Sequence, residues 1–531
     1  MGQGPRPAAA SPAASGSRGP AQAKGLPHYT GVSLRHITRV LECASRMRFV
    51  DLAVIFVYLI AITWFGARFR KGQTSLSDYF LGGRKAPWWA ISLSIVSAET
   101  STLTIVGTPG LSFAGNLGFL QIVFGYLLAR VVISLLFLPL YFRGSMFTAY
   151  ELMRRRFGER IRRLTASIFL VTRALAEGVR VFAISLVVSI VLGTGDVASI
   201  ILIVCLTLFY TFEGGMTAVI WTDVVQMCLY VVGAGVSLFT ILAKVPGGWA
   251  HVAAVAGQAG KLQIFDFRFA PAMPFFARTY TFWSGLVGGC FLTMASHGTD
   301  QLMVQRLLSA RDEAQSRLAL LSSWLVIFFQ FSLFLAIGVA LYVYYQDAHM
   351  VAPRSLDRIY PEFVWRHLPV GVAGLVTAAI LAAAMANLSA ALNALASTTV
   401  IDLWRPMRKP GGDRDAGDLK LARGMTVAWC VVLVAIGMFA RHWGSVLESG
   451  LSIASITLGL LLGVFLLGAL TKRVGEGAAI AGLLAGLAAI LFVRFRTPIA
   501  WTWWVLIGSA VTFAAGYGAS FFQSSTPERS T

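Results

Sequence analysis

The chain has 531 residues, of which 56% are hydrophobic and only 13% are charged, and its mean hydropathy is +0.71. Soluble domains carry about twice that charged fraction, so a string of soluble domains is excluded, and the apolar residues instead form runs long enough to cross a bilayer. The net charge of +20 does not indicate a nucleic-acid partner, because the basic residues lie in short loops, where they orient membrane helices. We therefore predict an all-α polytopic membrane protein rather than a β-barrel, whose spans would be short and alternating.

The N-terminal segment, residues 1–46, is rich in Ala, Pro, Gly, Ser and Arg and contains no apolar run of span length. It lacks the apolar core of a signal peptide, and its composition is typical of a disordered tail. A second interpretation is that Met47 is the natural start, since membrane-like sequence begins there, and that the preceding residues are an upstream extension.

About thirteen apolar spans follow. They lie at 50–67, 88–112, 117–142, 164–193, 197–212, 217–244, 279–297, 318–345, 370–402, 421–440, 447–470, 476–493 and 500–522. The basic loops between them predict which segments are cytoplasmic, namely 67–86, 143–163, 402–423 and 471–476. We expect a multi-pass protein of the cell membrane with a cytoplasmic C-terminus. No segment outside the spans is long enough for an enzyme domain, so we predict that the protein is not an enzyme.

The second span contains six hydroxyl side chains and one carboxylate between Ser94 and Thr104. A charge near the bilayer centre costs a few kcal/mol, so Glu99 needs a partner or a function. The pattern is typical of a helix that is locally unwound or faces a cavity, where carbonyls and hydroxyls replace the water around a cation. Hydroxyls bonded to the preceding helical turn would explain the Ser and Thr residues but not Glu99.

The fourth span carries Arg173, Glu177 and Arg180. Spacings of four and three place them on one helix face, so Glu177 can pair with either arginine. One positive charge is left over, which Glu99 from another helix or a carboxylate of a substrate could neutralise, because Arg binds carboxylates in bidentate fashion. An internal ion ladder that sets helix register is the alternative, and the sequence leaves both open.

The sixth and ninth spans add further polar groups. Gly214 and Gly215 predict a tight turn before the sixth span, and Asp223 follows about two helical turns later, either as a cation ligand or as a carboxylate at a helix start. The ninth span is built of small residues that let helices approach closely, among which Asn387 and Ser389 offer oxygen atoms.

These segments, in this order, resemble the sodium/solute symporter family from about residue 50 to 470. The resemblance rests on Asp78-Tyr79-Phe80-Leu81-Gly82-Gly83-Arg84, the Gly-Gly turn with Trp221-Thr222-Asp223-Val224-Val225-Gln226, Gly298-Thr299-Asp300-Gln301 with Val304-Gln305-Arg306, and the ninth span ending at Asp402. It implies a LeuT-type fold, in which one extra helix precedes two five-helix repeats of opposite topology with the substrate between them. The implied segments are a tail at 1–46, the extra helix at 47–67, the repeats at 86–245 and 278–472, two helices at 473–522, and a disordered tail at 523–531.

The resemblance also implies site residues. The principal sodium site would use carbonyls of Ser97, Thr100 and Ala383 and the side chains at Ala386 and Asn387, where the family usually has a Ser/Thr pair. A second cation or proton site would use Asp223 and Ser389. Glu99, Thr102, Glu177 and Arg180 are the predicted substrate-binding residues, and the position of Arg180 favours an acidic substrate. Asp300, Gln301 and Arg306 are predicted to form a cytoplasmic gate.

The predicted function is that of a secondary active symporter, which moves a small organic solute, acidic or a sugar, by alternating access with sodium as the coupling ion and with no other cofactor. The expected partners are the solute, sodium and the lipid bilayer, and no nucleic acid. Two alternatives remain open from the sequence: a proton-coupled symporter of the same fold, with Glu99 or Asp223 titrating, and a solute sensor built on the transporter fold.

Overall fold

The structure is a computed structural model that describes residues 34–69, 81–143, 149–193, 195–211, 216–268, 275–404, 407, 414–442 and 446–522. These residues contain nineteen α-helices and no strand, apart from an isolated bridge between Ala86 and Ala310. Residues from Phe49 onward form one compact unit, and the chain before it forms a second unit, which the structure describes only from residue 34. The predicted all-α class is confirmed.

The helices, in chain order, are α1 (Leu34–Ala67), α2 (Trp88–Glu99), α3 (Thr102–Ala114), α4 (Leu120–Leu136), α5 (Leu138–Phe142), α6 (Ala149–Arg156), α7 (Glu159–Leu192), α8 (Asp196–Thr211), α9 (Met216–Lys244), α10 (Gly248–Gln258), α11 (Gly289–Gly298), α12 (Gln301–Leu308), α13 (Glu313–Asp347), α14 (Ile359–His367), α15 (Val372–Thr398), α16 (Arg414–Ala440), α17 (Val446–Leu470), α18 (Glu476–Arg496) and α19 (Trp504–Ala519). π-helical turns at Ser284–Gly288 and Thr399–Trp404 lie directly before α11 and after α15.

Helical structure occurs at each of the thirteen predicted spans. Whether each helix is also long and apolar enough to cross a membrane is a separate question. Among the described residues, eight helices are long and apolar enough to cross, and the bent pair of α2 and α3 makes a ninth. Other predicted spans are short, such as α8 and α19 with 16 residues each. The count of thirteen is therefore not confirmed.

The first helix begins earlier than the sequence predicted. It starts at Leu34, within the segment expected to be a tail, instead of at 47. Apolar residues recur there at helical spacing, which favours a helix, at Leu34, Ile37, Val40 and Leu41. The rest of that predicted tail, the tail at 523–531, residues 78–80 of the family motif and the Gly214–Gly215 turn lie outside the described residues.

A side chain of α1 caps the N-terminus of α15. Asp51, which is buried, accepts hydrogen bonds from the backbone N–H groups of Gly371 and Gly374 at 2.7 and 2.8 Å. A carboxylate is favourable at this position because the N-terminus of a helix carries unpaired N–H groups and a partial positive charge. The extra first helix is therefore attached to the bundle by a specific polar contact.

Glycines allow the closest helix contacts. A Cβ atom on Gly338 of α13 would lie 2.1 Å from the carbonyl oxygen of Pro109 in α3. A Cβ on Gly125 of α4 would lie 2.5 Å from the carbonyl oxygen of Gly285, just before α11. Small residues commonly allow helices to approach closely inside a bilayer. Here they allow close contact between helices from the two halves of the chain.

Replacing Gly338 with alanine is expected to destabilise the protein by about 1–3 kcal/mol, because the new methyl group forces backbone apart in a packed region. Thermal unfolding of the purified protein in detergent would measure this as a lower midpoint. Gly235→Ala is the matched control, since a Cβ there meets no atom within 4 Å and alanine favours the helix. Equal midpoints for the two variants would contradict the close contact.

Candidate functional site

The second predicted span is broken, as its hydroxyl-rich sequence indicated. Helix α2 ends at Glu99, α3 begins at Thr102, and their axes differ by 63°. Thr100 and Ser101 have non-helical backbone angles, with ψ of 84° and 172°. Ser and Thr favour such breaks because their side chains compete with the helical hydrogen bonds.

The break releases two carbonyl groups. In a continuous helix the N–H of Ser101 would donate to the carbonyl of Ser97, but here it donates to the carbonyl of Glu99 at 3.0 Å. Likewise the N–H of Thr104 donates to the carbonyl of Ser101 at 2.9 Å instead of to that of Thr100. The carbonyls of Ser97 and Thr100, both predicted sodium ligands, thus lose their helical donors in a buried position.

A small cavity lies beside the break. It measures about 10 Å³ and is lined by Thr102, Glu177, Arg180 and Asn387 together with apolar residues of α7 and α15. That volume corresponds to about one water molecule, or one small ion. Ser97, Thr100 and Ala383 do not line this cavity, and the side chain of Ala386 lies outside the described part, so the structure brings only part of the predicted sodium site together.

Thr100 is held by its side chain as well as by the chain break. Gln330 of α13 donates a hydrogen bond from its amide to the Thr100 hydroxyl. Tyr230 of α9 lies beside the side chains of Ser97 and Thr100. Among the described residues, no group of three His, Cys, Asp or Glu side chains could hold a metal ion, so a cation here would depend on carbonyl, hydroxyl and amide oxygens. Such ligands suit hard cations such as sodium.

A larger cavity of about 140 Å³ lies next to the small one. By the usual allowance per water molecule it has room for roughly ten waters, or for a small organic solute. Its lining comes mainly from the second, fourth, seventh and eleventh predicted spans, and residues of the third and eighth spans and of the segment after the seventh complete it: Phe119, Tyr126, Asp300, Leu302, Met303 and Phe331. Arg180 borders both cavities, so a ligand in either one is next to the same guanidinium group.

The ion trio of the fourth span forms as predicted. Arg173 Nε lies 3.2 Å from Glu177 Oε1, and Arg180 pairs with the same fully buried carboxylate. Arg173 also reaches Asp300 at 3.5 Å. The Nε atom of Arg180 is buried and has no hydrogen-bond partner among the described residues. Buried polar atoms are usually hydrogen-bonded, and the trio has three more such atoms without a hydrogen-bond partner among the described residues: Arg173 Nε, Arg173 Nη2 and Glu177 Oε2.

Glu99 does not neutralise that trio. Its Oε2 atom accepts a hydrogen bond from Arg130 of α4 at 2.6 Å and lies 3.3 Å from His297 Nε2 of α11. Arg130 is fully buried and also donates to Ser323 at 3.0 Å. Neither Arg130 nor His297 was among the predicted site residues, although the cost of a charge inside an apolar helix pointed to Arg130 as well as to Glu99.

The two remaining predicted substrate residues line the same cavity. Thr102 and Glu177 line the small cavity only, whereas Ser101 and Thr104 line the larger one. Ser101 precedes α3 in an extended conformation, and Thr102 and Thr104, two residues apart in the helix, lie on different faces.

Asp223 is bound by other protein groups. Its Oδ2 atom accepts hydrogen bonds from Arg306 of α12 at 2.9 Å and from Ser94 of α2 at 2.6 Å. None of its hydrogen bonds among the described residues reaches Ser389. In this structure Asp223 is therefore paired with Arg306 and Ser94, and the second cation site with Ser389 stays a prediction.

The predicted gate residues make contacts at the predicted cytoplasmic end, where α7 begins. Arg306 binds Asp223, Asp300 lies near Arg173, and the Gln301 side chain accepts a hydrogen bond from the N–H of Ala149 at 2.7 Å. These contacts join α12 and the segment before it to α6, α7 and α9, and so hold that end of the bundle together.

A model of the sodium:solute symporter family matches residues 79–486 of the chain. The human sodium/iodide cotransporter is 30% identical over 462 residues, which cover 85% of this chain and 70% of that protein. The sodium/sialic acid symporter SiaT of Proteus mirabilis (strain HI4320) is 28% identical over 490 residues, covering 88% and 94%. Sodium-coupled monocarboxylate transporter 2 of Mus musculus is 28% identical over 472 residues, covering 87% and 72%.

Solved transporters have a similar fold. A Na⁺-coupled sialic acid symporter in a substrate-bound outward-open state superposes with a TM-score of 0.80 at 26% identity, covering 90% of this chain and 98% of that one. The nucleobase-cation-symport-1 transporter Mhp1 superposes with a TM-score of 0.55 at 12% identity, covering 84% and 95%, which concerns the fold alone.

Proposed function

The chain belongs to the sodium:solute symporter family and is a multi-pass secondary active transporter with sodium as its coupling ion; from this premise we propose that its solute is a small organic anion. Its fold is of the LeuT type, in which α1 precedes two inverted repeats, α2 to α9 and α11 to α17. The observation that carries the proposal is the position of Arg180, whose side chain lines both cavities.

Charge balance supports an anion. Three arginines and three carboxylates lie in and beside the cavities, and their formal charges cancel: Arg130, Arg173, Arg180, Glu99, Glu177 and Asp300. Sodium alone, or an anion alone, would leave one uncompensated charge in a medium where that is expensive. Sodium and a monoanion together restore neutrality.

The same balance provides the coupling. Each ligand binds more tightly when the other is present, and this mutual preference is reciprocal by thermodynamic necessity. The sodium ion would be held by the freed carbonyls of Ser97 and Thr100 and, on α15, by the Ala383 carbonyl and the Asn387 amide oxygen, while Ala386 has no side-chain oxygen to add. The solute carboxylate would be held by Arg180 in the larger cavity, so the two ligands share one electrostatic site.

Alternating access would depend on the contacts between helices at the cytoplasmic end of the bundle. The gate of Asp300, Gln301 and Arg306 keeps the cytoplasmic end closed while sodium and solute enter from outside, in a cell membrane with the C-terminus in the cytoplasm. Binding of both ligands would bias the bundle toward the inward-open form, since a ligand shifts an equilibrium only by its differential affinity for the two states.

Uptake by proteoliposomes containing the full chain tests the proposal. Uptake of a small organic acid is expected in a sodium gradient and should disappear when choline replaces sodium at fixed pH. Uptake that continues in choline but follows an imposed proton gradient would support proton coupling and contradict sodium coupling. Sodium-dependent uptake of neutral sugars without any uptake of acids would contradict the anion.

Asn387→Ala is expected to raise the sodium concentration for half-maximal uptake by about tenfold. The loss of one oxygen ligand weakens ion binding by about 1–2 kcal/mol, while the fold is kept because Asn387 lies in a helix of small residues. The measurement is uptake at a series of sodium concentrations with constant ionic strength. Gln346→Ala, an exposed amide at the end of α13, is the control, and equal sodium dependence of the two variants would remove Asn387 from the site.

A further inference from the structure

The wall of the larger cavity around Glu99 is a second polar site, distinct from Arg180. Glu99, Ser296 and His297 line the cavity there, whereas Arg130, which binds Glu99, is not part of the lining. His297 Nδ1 lies 2.9 Å from the Ser296 hydroxyl. Glu99 is thus fixed by a fully buried arginine, and its side chain is still 10% exposed to the cavity.

An ionised carboxylate only accepts hydrogen bonds, so the group that Glu99 binds on a solute must be a donor. The Glu99 Oε1 atom takes no part in the described contacts, which all use Oε2. Two kinds of solute donor are common in small acids, a hydroxyl and an ammonium group. Geometry alone does not choose between them.

The charges of the site favour a hydroxyl over an ammonium group as the donor. Arg130 already neutralises Glu99, and the formal charges of the arginines and carboxylates in and beside the cavity sum to zero before any ligand binds. With sodium bound, a hydroxy acid of charge −1 restores neutrality, whereas a zwitterionic amino acid leaves one positive charge uncompensated. Because such a charge is costly in the membrane interior, the zwitterion is disfavoured.

An apolar surface adjoins this polar site. The rings of Phe119 and Phe331 lie 5.0 Å apart, Tyr126 and Phe331 lie 6.4 Å apart, and all three line the same cavity. Aromatic faces pack well against carbon chains. The cavity therefore offers a cation for a carboxylate, an acceptor for a hydroxyl and a surface for the carbon skeleton between them.

Building on the function proposed above, we propose that the solute is a hydroxyl-bearing monocarboxylic acid whose carboxylate binds Arg180 and whose hydroxyl donates to Glu99. Arg130 and His297 are positioning residues that hold the Glu99 carboxylate toward the cavity. Among solutes with the same carbon skeleton, the binding affinity should then depend on the substituent beside or near the carboxylate.

Two matched series test this in sodium-driven uptake by proteoliposomes. The first is propanoate, L-lactate and L-alanine, which differ only in H, OH or NH₃⁺ at one carbon; the second is hexanoate and D-gluconate. In at least one series the hydroxy acid should bind about tenfold to hundredfold more tightly than its deoxy partner, the usual range for a hydrogen bond to a charged group. L-Lactate should also bind more tightly than L-alanine.

Glu99→Gln should reduce the preference for the hydroxy acid to about twofold or less while uptake of the deoxy acid persists. Glu313→Gln, in a partly exposed pair at the start of α13, should keep the full preference. Thermal unfolding shows whether Glu99→Gln is folded. If it is not, the comparison of hydroxylated and deoxy acids on the unmodified protein still tests the hydroxy-acid proposal. A preference that survives in folded Glu99→Gln would overturn the role of Glu99.

The failures are distinguishable. Sodium-dependent uptake of acids with equal affinity for hydroxylated and deoxy partners in both series, or tighter binding of L-alanine than of L-lactate, overturns the hydroxy-acid inference and leaves the anion proposal standing. Absence of sodium-dependent uptake for every acid in both series overturns the anion proposal itself, and the inference with it.

Discussion

Replacing Arg180 with alanine is expected to lower the efficiency of sodium-dependent acid uptake by at least about a hundredfold. The guanidinium group would donate two hydrogen bonds to the solute carboxylate, each worth about 1.5–3 kcal/mol. The variant also removes one of the two arginines that neutralise the fully buried Glu177. Initial rates of uptake over a range of acid concentrations would measure the effect.

Arg180→Lys separates charge from geometry. Lysine keeps the positive charge near Glu177 but cannot form the planar, bidentate contact, so uptake should fall while the protein remains folded. Arg155→Ala is the control, because Arg155 lies on α6 in a partly exposed pair with Glu151. Normal acid affinity in a folded Arg180→Ala protein would remove Arg180 from the solute site.

Arg306→Ala is expected to lower the free energy of unfolding by about 3–5 kcal/mol. Arg306 and Asp223 are both buried, and loss of one partner leaves the other as an uncompensated buried charge. Ser94 would remain as a single hydrogen-bond donor to Asp223. Thermal unfolding in detergent should show a clearly lower midpoint than that of the unmodified protein.

The double variant Asp223→Ala with Arg306→Ala should be less destabilised than the sum of the two single variants, because neither charge is then left alone. Arg317→Ala, in a partly exposed pair with Glu313, should change stability by no more than about 1 kcal/mol. If Arg306 closes the cytoplasmic gate, its loss should also permit solute efflux without sodium. Unchanged stability together with full sodium dependence would contradict both roles.

Several parts of the site could be predicted from local sequence. The break between α2 and α3 followed from the hydroxyl-rich stretch around Glu99, and the pairing of Arg173 and Arg180 with Glu177 followed from their spacing of three and four residues. Both features depend on neighbours along one helix, where the 3.6-residue period sets which side chains meet.

Contacts between distant spans could not be predicted in the same way. Glu99 was expected either near the fourth-span trio or at a substrate, yet its partners are Arg130 and His297, and Asp223 meets Arg306 instead of Ser389. The spacing of residues within each helix is compatible with many such pairings. Which one forms depends on how the helices are rotated and shifted against each other.

The sequence by itself determined that this protein is a helical membrane transporter. Its composition has too few charged residues to cover the surface of a soluble protein, and the order of its motifs identified its family. Only the tertiary structure decided that Arg180 borders both cavities and that a buried arginine holds Glu99 at the wall of the larger one. Such a site is made by side chains that converge from separate helices, and its charge balance exists only after the helices have packed.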